Sequence, residues 1–436
     1  MTRSLPDVRS GVRASSRRLG ALTAPGGRAV SGRTARGRLR PGIRLLVGVL
    51  SVGVALSGCA AGPAPVAAER IDPVTVTDVP FLRVDGSGTS APSPADRSVD
   101  ETTALAVLAD LDDFATGLPD GPGDDVLSGG YAAVDPAPTD GSVLCVGRAA
   151  DLVGTAFFCP EQDAIVADSA GLIPVLRGHY GDAALAVALA HEYGHAVQAR
   201  GGWTGPDDPA LLVELQADCF AGAFLGRATA GATERVHIPA GSDLRAIAPL
   251  LDFRDAPGSD PRAGAAHGSA VDRFRALDTG VRAGVPACRA MTGEQVLAST
   301  TLGMPDGGAT ASDPVEGDPS DSSAPGGGDG PDMATVLAAA GLIPPVTDPT
   351  TAADLDGVDA LGPVARQAAT ALAQADAATG DDASRATCLL GAWAGEPSRR
   401  HAADQAIDYL RGRPDATYAQ LQAFSSGLDG GAAGCG

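Results

Sequence analysis

His191-Glu192-Tyr193-Gly194-His195 and, after 18 intervening residues, Glu214-Leu215-Gln216-Ala217-Asp218 decide how this chain is read. Residues Asp182 to Arg200 are rich in Ala, Leu and Val, lack Pro and run into Gly201-Gly202, which predicts a helix with Asp182 as N-cap. Residues four apart share a helical face, so His191 and His195 aim two imidazoles at one point. Glu192, rotated by about 100° around the helix, stands beside that point, where a general base belongs. Asp208-Pro209 predicts the N-cap and first residue of a second helix, continued by the apolar run Leu211 to Leu225. Glu214 and Asp218 share one face of it at i and i+4. His191, His195 and Glu214 then make a three-ligand set for a catalytic Zn²⁺, which takes three protein ligands and a water. Asp218 is placed to accept the free ring N–H of a ligating His, His191 in this reading, and so to fix its tautomer. A lone H-E-x-x-H arises by chance in ordinary helices. Two acids at a matching distance on a second helix do not fit that explanation, and Glu214 is hard to place in a core without a partner.

The runs Ala190 to Gln198 and Glu214-Leu215-Gln216-Ala217-Asp218-Cys219-Phe220-Ala221-Gly222 resemble the bacterial neutral zinc metallopeptidase family. Upstream, Cys145, Phe157-Phe158-Cys159-Pro160 and Ala164-Ile165-Val166-Ala167-Asp168 resemble that family's segment before the zinc helix. Downstream, His267-Gly268-Ser269, Asp272-Arg273, Gly280 and Cys288 resemble its closing helix. The resemblance covers about residues 140–290 and implies a gluzincin-like zinc peptidase fold. It implies the chemistry better than the biology, because the family's substrates are poorly defined. His267 matches a position of the family pattern. We read it as a candidate catalytic residue that stabilises an oxyanion; the alternative is a helix-start His bonded to backbone. His179 and His237 fall in expected loops and His401 in the C-terminal region, and none is assigned a role. Tyr193 is expected to pack.

The first residues read as a targeting segment. Arg3 to Arg44 is basic, Leu45 to Leu56 is apolar, and Leu56-Ser57-Gly58-Cys59 resembles a bacterial lipobox. An apolar run of about 12 residues is short for a membrane span. Residues 1–58 are therefore expected to be a lipoprotein signal peptide, with Cys59 lipidated and the chain anchored to the outer face of the bacterial cytoplasmic membrane. An ordinary secretory signal is the alternative. Removing these residues, with their 11 Arg and the single acid Asp7, takes the net charge from −21 to −31. So acidic a chain is a poor nucleic-acid binder. Membrane attachment must then come from the lipid, and the oligomeric state is not readable from sequence.

Residues 59–98, rich in Ala, Pro, Ser and Asp, read as a disordered tether. Residues 99–300 read as the metallopeptidase domain, with a helix over Thr102 to Leu118 and a short strand at Ala164 to Ala167 expected as an edge for an extended substrate. Residues 301–332 read as a disordered acidic Gly/Pro/Ser linker. Residues 333–436 read as a degenerate helical copy of the domain without zinc ligands. Ala170 to Pro174 recurs as Ala340 to Pro344, and Cys219-Phe220-Ala221-Gly222 is echoed by Cys388-Leu389-Leu390-Gly391. Gly280, Gly284 and Cys288 recur with the same spacing as Gly427, Gly431 and Cys435. Leu372 to Asp376 and Thr387 replace the zinc motif and Asp218. Ala-rich helices also match by chance. The six cysteines after Cys59 suggest export and three disulfides. The repeat suggests Cys219–Cys288 and Cys388–Cys435, leaving Cys145–Cys159 to close a small loop; a free Cys in an Ala-rich core is the alternative.

The expected fold class is α+β, mainly helical, with a zincin-like domain, a short edge β-sheet and a second helical copy. The expected function is a lipid-anchored zinc metallopeptidase acting on a peptide or cell-envelope protein, with Glu192 as general base. Two rivals stand beside it: a weakly catalytic surface scaffold or binding protein with a zinc-stabilised fold, and a zinc amidase acting on peptidoglycan peptides.

Overall fold

Ser98 opens the first long helix with a capping box: its Oγ accepts from the Glu101 N–H at 3.2 Å, while Glu101 Oε2 accepts from the Ser98 N–H at 2.6 Å. That cap starts the helix three residues before the expected Thr102. A computed structural model of the chain describes residues 69–72, 79–118, 126–137, 139, 143–239, 241–256, 258–302, 381–395, 403–413 and 416–435. The expected signal peptide, Cys59, nearly all of the 301–332 linker, His401 and the segments 340–344 and 372–376 lie outside the described residues.

In chain order the elements are β1 (Arg70–Ile71), β2 (Phe81–Asp85), β3 (Gly88–Ser90), α1 (Val99–Thr116), β4 (Gly130–Val134), β5 (Ala156–Cys159), β6 (Ala164–Asp168), α2 (Leu172–Val175), α3 (Asp182–Gly201), α4 (Ala210–Thr229), β7 (Val236–His237), α5 (Asp243–Asp252), α6 (Ala270–Ala283), α7 (Val285–Arg289), α8 (Gly293–Ser299), α9 (Asp381–Ala394), α10 (Ala403–Gly412) and α11 (Tyr418–Gly430). The class is α+β and mainly helical. Strand order in the main sheet is β3-β2-β4-β6-β5, parallel across β2-β4-β6 and antiparallel at both ends. Alternation puts Tyr131, Ala133, Ile165 and Ala167 in the core shared with α1 and α3, and Ala132, Val134 and Val166 in a smaller cluster on the other face. Among the described residues no helix is long and apolar enough to cross a membrane.

Four expectations need correction. The strand at 164–168 is not an edge: β6 lies between β4 and β5, and β5 is outermost. The 59–98 stretch is not all tether, since β2 and β3 lie within it and Val79, Phe81 and Val84 are buried. A five-residue strand is hidden when composition is averaged over forty residues. The helix starts also move by one. Asp182 is the first residue of α3, its carboxylate held by Arg177 at 2.8 Å, and Gly181 at φ 105° is the cap. Pro209 caps α4, because Asp208 accepts from the Gly205 N–H at 2.8 Å instead. Finally, His179 lies in a π-helical turn over Leu176–Tyr180 and His237 on β7, not in loops.

The described C-terminal helices share one buried cluster with the N-terminal elements, and the Phe274 and Tyr418 rings meet at 5.4 Å. Three disulfides join Cys145 to Cys159, Cys219 to Cys288 and Cys388 to Cys435.

Candidate metal centre

The site is the meeting of α3 and α4 beneath β5. The two helices approach closely at Gly194, where a Cβ would stand 3.0 Å from the Ala217 Cα. This glycine inside the histidine motif lets α4 bring Glu214 within reach of α3. His191 Nε2 lies 3.3 Å from Glu214 Oε2, and His195 Nε2 lies 3.7 Å from Glu214 Oε1. The imidazoles are 4.8 Å apart and nearly perpendicular, at 85°. His191, His195 and Glu214 form one of two groups among the described residues able to hold a metal ion. The other, Cys145, Cys159 and Glu161, includes the two sulfurs of a disulfide.

Each imidazole has its second nitrogen committed elsewhere. His191 Nδ1 is 2.8 Å from Asp218 Oδ1, and His195 Nδ1 is 2.9 Å from Gln198 Oε1. With N–H at both Nδ1 positions, the two Nε2 lone pairs point at the space beside Glu214. Asp218 is in turn held by Arg273, whose Nε and Nη2 each donate to it at 2.7 Å, while Arg273 Nη1 donates to the Phe253 carbonyl at 2.8 Å. Gln198 is held by donating to the Val213 carbonyl at 2.7 Å and to Gln216 Oε1 at 3.0 Å.

Charge reinforces this arrangement. Burial disfavours an ionised Asp218, but Arg273 and then His191 outweigh it and hold the carboxyl below its ordinary value. Burial likewise raises Glu214, and His195, His191 and His267 outweigh it, so Glu214 lies well below the carboxylate range. Burial alone would lower His191, yet Asp218, Glu214 and Glu192 carry it up to about 10. The pocket therefore favours a positive charge where the donors converge, whether proton or metal ion. Glu192 is different: burial is the largest influence on it and raises its pKa. Its Oε2 accepts from the Phe158 N–H of β5 at 3.1 Å, which ties the outermost strand to the centre.

The structure thus brings His191, His195, Glu214, Glu192 and Asp218 together. His267 sits in the loop before α6, two residues ahead of the N-cap Ser269 and half-exposed, rather than at the helix start. Its Nδ1 is 3.9 Å from Asp255 Oδ1, and Asp255 first, then Glu214 against the opposing effect of burial, raise its pKa. Tyr193 is buried and stacks on Phe220, its hydroxyl bonded to Asp112. Sequence reasoning assigned no role to Gln198, Gln216 or Arg273. Gln198 was visible at i+3 from His195, but Arg273 lies 55 residues beyond Asp218, and only the fold pairs them.

No protein-family model, curated protein or solved structure matches this chain.

Proposed function

We propose that the chain is a zinc-dependent peptidase with a zincin-like catalytic half. The observation carrying this reading is the convergence of three donors with the outer nitrogen of each imidazole already bonded. Donors at the usual zinc–ligand lengths of a tetrahedral site stand ~3.3–3.4 Å apart, and here His191 Nε2 is 3.3 Å from one Glu214 oxygen and His195 Nε2 is 3.7 Å from the other. Two imidazoles and one carboxylate leave room for a water, as catalytic zinc sites do. When bound there, zinc would supply Lewis acidity toward a carbonyl and make water a nucleophile near neutral pH.

The chain's own groups supply the rest. Glu192 receives the proton of the attacking water and returns it to the leaving amine. Phe158 occupies its Oε2, leaving Oε1 to carry the proton, and its raised pKa suits a base that must also act as an acid. Asp218 and Gln198 keep both imidazoles in the ligating tautomer. His267 is the candidate donor to the developing oxyanion. The outer edge of β5, beside Glu192, favours an extended peptide as substrate over a compact one. The lipobox-like Cys59 would anchor the protein at the cell surface, where an envelope protein or peptide is the substrate class. We read the α9–α11 pair as a degenerate copy of α4–α6.

The test is hydrolysis of a denatured protein with Glu192→Gln as control. The variant should keep its zinc and lose about 10²–10⁴-fold in kcat. Equal turnover by the variant, at equal metal content, would remove the peptidase reading.

A further inference from the structure

One face of α10 grips both ends of the stretch that carries the Phe253 carbonyl and His267. Asp404, Asp408 and Arg411 fall at i, i+4 and i+7, so they line one side of the helix. Asp404 Oδ1 accepts from the Val271 N–H at 3.1 Å, at the start of α6. Asp408 accepts from Arg254 Nη1 at 2.8 Å and also from its Nη2, a two-point pair. Arg411 donates to Asp252 at 2.6 Å and to Asp408 at 2.9 Å.

What lies between these points is bonded to the site's supports. Asp255 ties the two legs of the segment together: its carboxylate accepts from the His267 N–H at 2.6 Å and the Gly268 N–H at 3.0 Å, and its own N–H donates to the Gly268 carbonyl at 2.9 Å. On one leg, the Phe253 carbonyl accepts from Arg273, which holds Asp218 and through it His191. On the other, Gly268 at φ +100° lies against Leu211 and Leu215, which stand three residues before and one residue after Glu214 on α4. A Cβ on Gly268 would come within 3.2 Å of the Leu211 side chain.

We propose that Asp404, Asp408 and Arg411 are positioning residues: α10 braces residues 252–256 and 266–271 and so sets the Arg273–Asp218–His191 chain and the placement of His267. The proposal rests on the metal-centre reading above. It gives the C-terminal helices a task, holding a segment bonded to the site, to which their described residues contribute no ligand.

The test uses the full chain loaded with zinc and compares Asp408→Ala, Arg254→Ala and Asp408→Glu. Asp429→Ala is the control, because Asp429 pairs with Arg275 between the same two regions without touching the segment. Two readouts are taken, hydrogen exchange at the His267 and Gly268 amides and the rate of zinc release to a chelator. Asp408→Ala and Arg254→Ala should each speed exchange about tenfold and zinc release several-fold. Asp408→Glu should recover most of both, and Asp429→Ala should change neither. If either readout is unmoved in Asp408→Ala, or moves equally in Asp429→Ala, the proposal is wrong. A wild type that holds zinc but hydrolyses nothing would defeat the peptidase reading alone, since neither readout needs turnover.

Discussion

The α4–α6 pair and the α9–α11 pair are built to one pattern and differ in what they carry. In the first, a Cβ on Gly222 would stand 1.9 Å from the Leu277 carbonyl oxygen, and one on Gly280 would stand 1.8 Å from that of Cys219. In the second, a Cβ on Gly391 or Gly427 would stand 1.9 or 1.8 Å from the carbonyl oxygen of Phe424 or Cys388. Each pair is closed by a disulfide with Cα atoms 5.4 and 5.6 Å apart, after a glycine of positive φ, Gly284 or Gly431. Each second helix opens with a capping box, at Ser269 and at Thr417. Yet counting from the shared glycines, Glu214, Asp218 and Arg273 of the first pair fall opposite Ala383, Thr387 and Gln420 of the second. The glycines and the disulfide therefore specify a helix pair. Among the described residues, these buried charges are an addition that only the first pair bears, and such charges are costly unless they serve one another.

The sharpest way to break this contrast is to remove a charge. Arg273 is 2 % exposed and Asp218 fully buried. Arg273→Ala should cost about 3–5 kcal/mol in denaturant unfolding, because it leaves a carboxylate uncompensated, and should weaken metal binding. Gln420→Ala removes only a capping partner and should cost about 1 kcal/mol with metal binding intact. Similar costs for the two would mean the buried charges are not what separates the pairs.

The joint between the pairs should be pH-sensitive. Burial is the main cause that lifts Asp404 to about 6 from its ordinary 3.8, and Asp272 adds to it, while the Val271 N–H and Arg254 oppose. The folded state thus holds this proton more tightly than the unfolded chain. The group's effect is most favourable below pH 4, and about 3 kcal/mol is lost as pH rises through 6. Unfolding of the chelator-treated protein at pH 4 and pH 7 measures it. Asp404→Asn should abolish that part of the slope, and an unchanged slope would count against it.

Crowding comes next. Gly280→Ala and Gly427→Ala should each cost about 1–3 kcal/mol, since each forces two helices apart. Metal affinity should fall only for Gly280→Ala; loss in both would show that the second pair's packing also sets the site. Last is Gln198→Ala, which frees His195 Nδ1 and the buried Gln216 Oε1 and should weaken zinc about tenfold at a cost of about 1 kcal/mol in stability.

Much of this molecule was legible in its sequence. The helices of the histidine and Glu214 motifs announce themselves by their Pro-free apolar runs, and spacing alone puts His191 with His195, and Glu214 with Asp218, on one face of each helix. The recurring Gly-x₃-Gly-x₃-Cys pattern pointed to two of the disulfides before any packing was known. The sheet was harder. Strands of four or five residues such as β2 and β5 give too short a period to separate edge from centre, so sequence does not distinguish the interior strand β6 from an edge. Least legible were groups whose meaning depends on distant partners: Arg273 with Asp218, Gln216 with Gln198, and the α10 face with Arg254. Nothing local distinguishes Asp408 or Arg254 from surface charges until the fold sets them together.

The most direct measurement is the metal content of the purified protein beside His191→Ala and Glu214→Ala. The account predicts about one zinc per chain, as one three-donor site requires, and its loss in both variants while the disulfides and fold persist. A folded, oxidised wild type without bound metal after exposure to zinc, or variants that keep it, would contradict the account.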